Sequence, residues 1–167
     1  MFELEKTAEI RRLIQVTKSD SGVSGPGLAR AHIKLGQLLA AHMDFEPKDT
    51  TVVAIMRGGL FFAQGIYFQL GCKFQTYDPK HEVFQRPKTP NVILADAVIN
   101  TGKTICKILE PDMAVACSVI QEKTVALFEN QLYTVRVSGN SFVGADVRTQ
   151  SGAVGPDTTL RLFNLIV

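Results

Sequence analysis

No run of apolar residues in this 167-residue chain approaches the roughly 18 that a membrane-spanning helix needs, which sets aside helical membrane proteins. The amino-terminal stretch MFELEKTAEIRR is charged from its third residue and lacks the apolar segment of a secretory signal. Cysteine is scarce. Cys72, Cys106 and Cys117 stand far apart without a CxxC pair, and with His32, His42 and His81 they form no zinc-ligand spacing. An odd cysteine count without a signal segment favours a reducing compartment, so a cytoplasmic location is expected. An excess of one charge is lacking too. Lys and Arg number 18 against 16 Asp and Glu, a net of +2, which argues against a general nucleic-acid binder and leaves room for a local basic cleft. Repeats, low-complexity tracts and linkers are also missing, so residues 1–167 read as one domain.

What is present is core material. Hydrophobic residues make up 46% of the chain and charged residues 20%. A chain of this size buries roughly 70% of its unfolded surface, enough for a core without disulfides or a structural metal. Ser21-Gly22-Val23-Ser24-Gly25-Pro26-Gly27 reads as a flexible stretch that sets off an amino-terminal arm, residues 1–27. From Leu28, apolar residues recur at helical spacing to about Met43. A turn at Glu46-Pro47-Lys48-Asp49 precedes Thr51-Val52-Val53-Ala54-Ile55-Met56, a β-branched run typical of a strand buried on both faces. Residues 60–70 then predict a helix closed by Gly71, and residues 72–77 a strand. Residues 78–91, with Pro79, Pro87 and Pro90 among charges, predict a hairpin or mobile loop. Val92-Ile93-Leu94-Ala95-Asp96 predicts a second buried strand. Helices are expected over 101–109 and 122–130, and strands over 113–120 and 133–137. This alternation implies an α/β fold, a parallel β-sheet flanked by helices. Ligands of such sheets sit beyond the carboxyl ends of the strands, which singles out the turns after Met56 and after Asp96.

The second turn reads Asp96-Ala97-Val98-Ile99-Asn100-Thr101-Gly102-Lys103-Thr104. Unpaired backbone N–H groups where a helix opens suit a phosphate. Gly102 lets the backbone approach closely, Thr101 and Thr104 add hydroxyl donors, and Asp96 can accept two vicinal sugar hydroxyls. A Walker A loop, GxxxxGK[ST], would need glycine where Ala97 stands. An ordinary Thr101 helix cap above a solvated Asp96 is the plainer alternative. After the first strand, Met56-Arg57-Gly58-Gly59-Leu60 joins a cation to two residues whose N–H groups can face an anion, although a turn with one solvated arginine is common.

These two segments together resemble the type I phosphoribosyltransferases. The nine residues Asp96 to Thr104 resemble that family's phosphoribosyl diphosphate (PRPP) motif, and Arg57-Gly58-Gly59 resembles its pyrophosphate turn, often built on a cis peptide. Ala97 replaces a second acid, a departure that points to the uracil phosphoribosyltransferase branch. Residues 78–91 occupy the place of the family's flexible hood. The arginine that uracil enzymes carry ahead of it is missing, so Lys73, Lys80 or Arg86 would have to supply that charge. Arg86 and Lys88 read equally well as solvated loop residues, and Tyr77 and His81 as structural or exposed. At the carboxyl end, Arg161-Leu162-Phe163 resembles the R-L-F of the uracil enzymes, putting Asp157 on the first aspartate of their base-reading motif and Leu160 on the second. Gly155, Pro156, Asp157 and Thr158 are then the expected base contacts. A glycine turn feeding a final edge strand is the alternative, and Phe142, Val143 and Gly144 are a second candidate base-contacting segment.

The resemblance implies transfer of ribose 5-phosphate from PRPP to uracil or another nucleobase, in a homodimer, with Mg²⁺ arriving on PRPP and no metal ligated by the protein alone. Arg57 and Asp96 would be the catalytic residues. Arg57, Gly58, Gly59, Asp157 and the run Asp96, Ala97, Val98, Ile99, Asn100, Thr101, Gly102, Lys103, Thr104 would bind PRPP. A PRPP-sensing module with decayed catalysis and a purine enzyme with Phe142 stacked on the base are the other readings.

Overall fold

The computed structural model describes residues 1–128 and 130–166; Glu129, inside the helix expected over 122–130, and Val167 lie outside the described residues. The buried β-branched runs form the centre of a six-stranded sheet. Its strands are β1 (Phe2–Glu3), β2 (Thr50–Ile55), β3 (Lys73–Tyr77), β4 (Asn91–Ile99), β5 (Ala114–Gln121) and β6 (Leu132–Ser138), in the spatial order β1-β6-β5-β4-β2-β3. Each neighbouring pair runs parallel. All six residues of β2 are buried because both faces are covered. Val52 and Ala54 pack into one core with Ile93 and Ala95, and Val53 and Ile55 into another with Val92 and Leu94. The first core is roofed by α1 (Ala8–Thr17), α2 (Gly25–Ala40) and α3 (Leu60–Leu70). The second is closed by Ile105 of the short α4 (Lys103–Cys106), Phe128 and the loop residue Phe84. This is the parallel sheet flanked by helices that the alternating pattern implies.

The strand order reverses between β2 and β4. From β2 the chain steps outward to β3, then crosses back to β4 and continues the other way through β5 and β6. Loops leaving adjacent strands at such a reversal diverge and leave a crevice between them. Those loops begin at Met56 and beyond Ile99.

Several elements differ from expectation. The stretch read as flexible contains the start of α2, with Pro26 in its first turn, where a fixed φ favours helix and no N–H is lost. The arm is bound along its length. Phe2 and Glu3 add a strand to β6, Phe2 stacks on His42, and Leu4, Ile10 and Ile14 enter the core. β4 continues past Asp96 to Ile99 because Val98 and Ile99 pair with Val119 and Ile120. The helix expected over 101–109 is confined to α4, and the one over 122–130 is a 3₁₀ segment, Glu122–Leu127. The carboxyl-terminal segment does not extend the main sheet. Val154–Pro156 (β8) pairs with Val143–Ala145 (β7) as a separate two-stranded unit, followed by α5 (Thr158–Leu162). Residues 78–91 have no regular structure up to Thr89 and Pro90, yet they are tied down. Arg86 bonds Asp112 at 2.6 and 3.1 Å and also contacts Glu110, and Phe84 meets Tyr77 edge-on. Among the described residues, no helix is long and apolar enough to cross a membrane.

Arg161 joins the two ends of the chain. It is 2% exposed, and its guanidinium donates to the carbonyls of Val23 and Thr17 and to the hydroxyl of Ser21, at 2.7 to 3.3 Å. A buried cation is tolerable only when its donors are spent in this way. His32, 1% exposed, lies close enough for the Arg161 charge to act on it and has no hydrogen-bond partner for either ring nitrogen among the described residues. Burial first, and that charge second, depress its pKa to about 4, so it is neutral. Arg161→Ala is expected to cost on the order of 3 kcal/mol of stability in a denaturant titration, because it strands buried carbonyls. Arg161→Lys should recover only part of the loss, since an ammonium cannot span the same acceptors.

Candidate active site

A cleft of about 770 Å³ opens at the β2/β4 reversal. Its floor is Ile55 to Gly58 on one side and Asp96, Ala97 and Val98 on the other; Asn100 and Thr104 extend it toward α4, and Asp157 to Leu160 stand across it. Two segments some forty residues apart in the chain meet here because β2 and β4 pair in register from Thr50↔Asn91 to Ala54↔Ala95.

The first turn crosses very close to the neighbouring strand. The Met56–Arg57 peptide is cis, as the resemblance implies. A Cβ on Gly59 would lie 2.4 Å from the carbonyl oxygen of Ala95 and 2.8 Å from that of Ile55, so only glycine fits. Gly58 borders the cleft, with the Asp96 Oδ1 atom 3.5 Å from the place a Cβ would take. Arg57 is exposed and its guanidinium carbon sits 5.7 Å from the centre of the Phe163 ring, a cation–π contact that aims it without neutralising it.

Asp96 is half-buried at the cleft floor, within β4 rather than at its end. Removal from water pushes its pKa up to about 7, against the pull of hydrogen bonds from the Ala97 and Val98 amides. The Ala97 amide donates to Oδ1 at 2.7 Å. Such a carboxylate is short of partners and suited to accept hydroxyl donors from a ligand.

The rest of the nine-residue run is divided. Asn100 and Thr104 face the cleft, whereas Ile99 lines a neighbouring cavity. Thr101 and Lys103 are exposed and do not line the cleft. Gly102 takes a left-handed φ of 69° and is pressed against Phe128, whose ring carbon would stand 2.8 Å from an added Cβ. The turn is held from behind, because the Thr124 hydroxyl donates to the Asn100 carbonyl. The Asn100 side chain donates to the Phe142 carbonyl at 2.8 Å, tying the turn to the segment ahead of β7.

Of the expected base contacts, Asp157 and Thr158 line the cleft, but Gly155 and Pro156 are buried in β8 and line neither large cavity. Asp157 caps α5 through the Leu160 amide at 3.0 Å. Arg161, expected within a base-reading motif, is consumed by the arm. Leu160 borders the cleft. Among the three cations considered for the missing arginine, only Lys80 reaches the cleft, where His81 and its partner Asp78, 2.9 Å apart, also lie. Arg86 is held by Asp112 and Glu110. Lys73 and Lys88 line a separate hollow with Lys48 and Thr51, at the opposite end of the parallel strands. Tyr77 is buried.

A second cavity of about 590 Å³ lies beside the first, beyond β5 and β6, and shares Val98, Asn100, Phe142 and Thr158 with it. Arg136, Gln121 and the arm residues Lys18 and Asp20 line it, and the sequence reading passed over all four. The available signal was a lone arginine near the carboxyl end of a strand that carries no other charge.

No protein-family model matches the chain, and no curated protein matches it in sequence. Solved structures do share its fold. The AQ2163 protein from Aquifex aeolicus superposes with a TM-score of 0.66 at 14% identity, over 83% of this chain and 88% of that one. Hypoxanthine-guanine phosphoribosyltransferase from Bacillus anthracis gives 0.52 at 13% identity, over 70% and 82%. Orotate phosphoribosyltransferase from Aeropyrum pernix gives 0.50 at 19% identity, over 65% and 70%. The chain therefore has the fold of the type I phosphoribosyltransferases, a six-stranded parallel sheet between helices.

The raised Asp96 pKa has a thermodynamic consequence. A carboxyl whose folded pKa exceeds its unfolded value costs stability as pH rises between the two, because the folded state holds a proton that the unfolded state has lost. With values of about 7 folded and 3.8 unfolded, the cost is complete near pH 8. Asp96→Asn is expected to raise the melting temperature of the ligand-free protein at pH 8, with a smaller gain at pH 5; scanning calorimetry at both values checks this.

Proposed function

We propose that the protein transfers ribose 5-phosphate from PRPP to a nucleobase, releasing pyrophosphate. The observation that carries this reading is the meeting of Arg57-Gly58, Asp96 and the turn at Asn100 and Thr104 along one cleft. That spacing offers an unneutralised cation, a partner-poor carboxylate and a backbone turn, which suit the diphosphate, the ribose diol and the terminal phosphate of PRPP. Breaking the anomeric bond leaves positive charge on the ribose ring and negative charge on the departing pyrophosphate. The Arg57 guanidinium and the Gly58 amide stabilise the leaving group. Asp96 accepts the ribose hydroxyls, and the Asn100–Thr104 turn holds the phosphate, so that the anomeric carbon is fixed between leaving group and acceptor.

The cleft wall carries Asp78, Asp96, Asp146 and Asp157 against Arg57 and Lys80. An excess of carboxylates repels a bare polyphosphate, so a divalent cation must accompany it. Oxygen donors of this kind suit Mg²⁺. Among the described residues, no group of three or more His, Cys, Asp or Glu side chains is placed to hold a metal ion. Bound on PRPP, Mg²⁺ would supply positive charge against the diphosphate, beside the Arg57 guanidinium.

Uracil is the base that the carboxyl-terminal motif implies, but Arg161 and Gly155 of that motif are engaged elsewhere. Phe142 lies on the wall common to both cavities, where its ring can stack on a purine or a pyrimidine, which keeps the purine reading beside the pyrimidine one.

Titration calorimetry with PRPP and Mg²⁺ is expected to show binding that is lost without Mg²⁺. Arg57→Ala should weaken PRPP and pyrophosphate about 10- to 100-fold, the range for a lost charged hydrogen bond, and Asp96→Asn should weaken PRPP while leaving pyrophosphate nearly unchanged. Pyrophosphate release with PRPP and a panel of bases then decides the reaction. Base-dependent turnover supports transfer, PRPP binding without turnover on any base indicates a sensor, and absence of PRPP binding defeats both.

A further inference from the structure

The second cavity differs from the first in the sign of its charge. Lys18 and Arg136 line it against a single carboxylate, Asp20, whose field acts on the buried Arg161. The first cleft has the opposite excess. A bare anion is therefore repelled by one cavity and attracted by the other, although they share a wall.

Arg136 is the unusual residue. It is half-buried at the carboxyl end of β6, and its guanidinium makes no hydrogen bond or ion pair with the described residues. Arg86, more exposed in its role, is saturated by Asp112 and Glu110, and Arg161 by the oxygens of the arm. Withdrawing a guanidinium from water without a partner costs free energy, and burial draws Arg136 below the usual arginine range. An incoming anion would restore that loss. Gln121 beside it is 8% exposed, and its side-chain oxygen is occupied by the Lys123 amide at 2.7 Å. Its NH₂ group donates to none of the described residues and is an available donor on the cavity wall. A guanidinium next to a carboxamide NH₂ presents donors only, a match for a carboxylate or for ring carbonyls carrying negative charge. Val98 and Phe142, on the shared wall, supply apolar surface for a flat ring.

We propose that this second cavity receives the acceptor heterocycle, and that Arg136 with Gln121 selects one bearing a carboxylate or equivalent negative charge. The proposal rests on the transfer reading for the word acceptor alone; the anion site stands on the geometry of the cavity. Volume is no obstacle, since 590 Å³ falls within the usual range for small-molecule sites.

Orotate and uracil differ by one carboxylate, so their contrast tests the claim on the unmodified protein. Calorimetry with each, in the presence of ribose 5-phosphate, is expected to show orotate binding at least 10-fold tighter than uracil. Arg136→Met should abolish that preference without changing PRPP·Mg²⁺ affinity, and Arg136→Lys should keep part of it. Equal affinity for the two bases in the unmodified protein overturns the proposal, as does a preference that survives Arg136→Met. Orotate binding that is competed away by ribose 5-phosphate also overturns it, because the ligand would then lie in the first cleft. The two readings fail separately. An orotate preference lost in Arg136→Met but without any PRPP binding keeps the anion site and defeats transfer, whereas Mg²⁺-dependent PRPP binding without an orotate preference does the reverse.

Discussion

The pairing of β2 with β4 is the constraint on which the site depends. These strands are parallel neighbours in space but are separated in the chain by α3, β3 and the proline-bearing loop, and the order in which strands are added reverses between them. Their shared register places the Met56–Gly59 turn against Ala95 and Asp96, so closely that the Gly59 position has no space for a Cβ atom. Both strands hold their register because each is buried on both faces, and a slip would exchange the residues of two separate cores. The cation on one turn and the carboxylate on the next strand are thus held together by packing that neither of them contributes to.

Around this crevice the chain divides charge. The first cleft carries more carboxylates than cations and includes a half-buried aspartate pushed up to about 7. The adjoining cavity carries the reverse and contains an arginine without a partner among the described residues. Both groups are unfavourable in the empty protein. Free energy stored in unpaired polar groups at a site is recovered when a complementary ligand binds. Arg161 is the contrasting case, since its hydrogen bonds are spent inside the protein, where they hold the arm that lines the second cavity to the helix that borders the first.

Strands β2 to β6 and their order of appearance were legible in the chain because buried parallel strands leave short β-branched runs, whereas β1, β7 and β8 are too short to leave such a run; α3 was readable to its last residue because Gly71 closes it. The two turns were legible for a related reason: glycine and a charged residue directly after such a run have few other uses. Asp96 was singled out and lines the cleft, yet its position inside β4 was hidden, because the pairing of Val98 and Ile99 with β5 that extends the strand is a long-range contact. The short α4 was overestimated: Ile108 and Leu109 do pack against the second core, but the helix itself ends at Cys106, a few residues ahead of Pro111. Gly155 and Pro156 resembled a base-reading turn, but they pair with β7, and only a long-range partner could reveal that.

What the amino-acid sequence determined alone is the class of fold, the parallel sheet, and the two segments able to carry a cation, a carboxylate and a phosphate turn, because these follow from local periodicity and from residue types at short spacing. What only the tertiary structure decided is which of those groups share a cavity. Lys80 reaches the cleft while Arg86 and Lys73 do not, Arg161 turns inward to the arm, and Arg136 faces a hollow with no partner among the described residues. The physical reason is that a charged side chain's role depends on its desolvation and on the partners it meets, and both are set by residues far away in the chain.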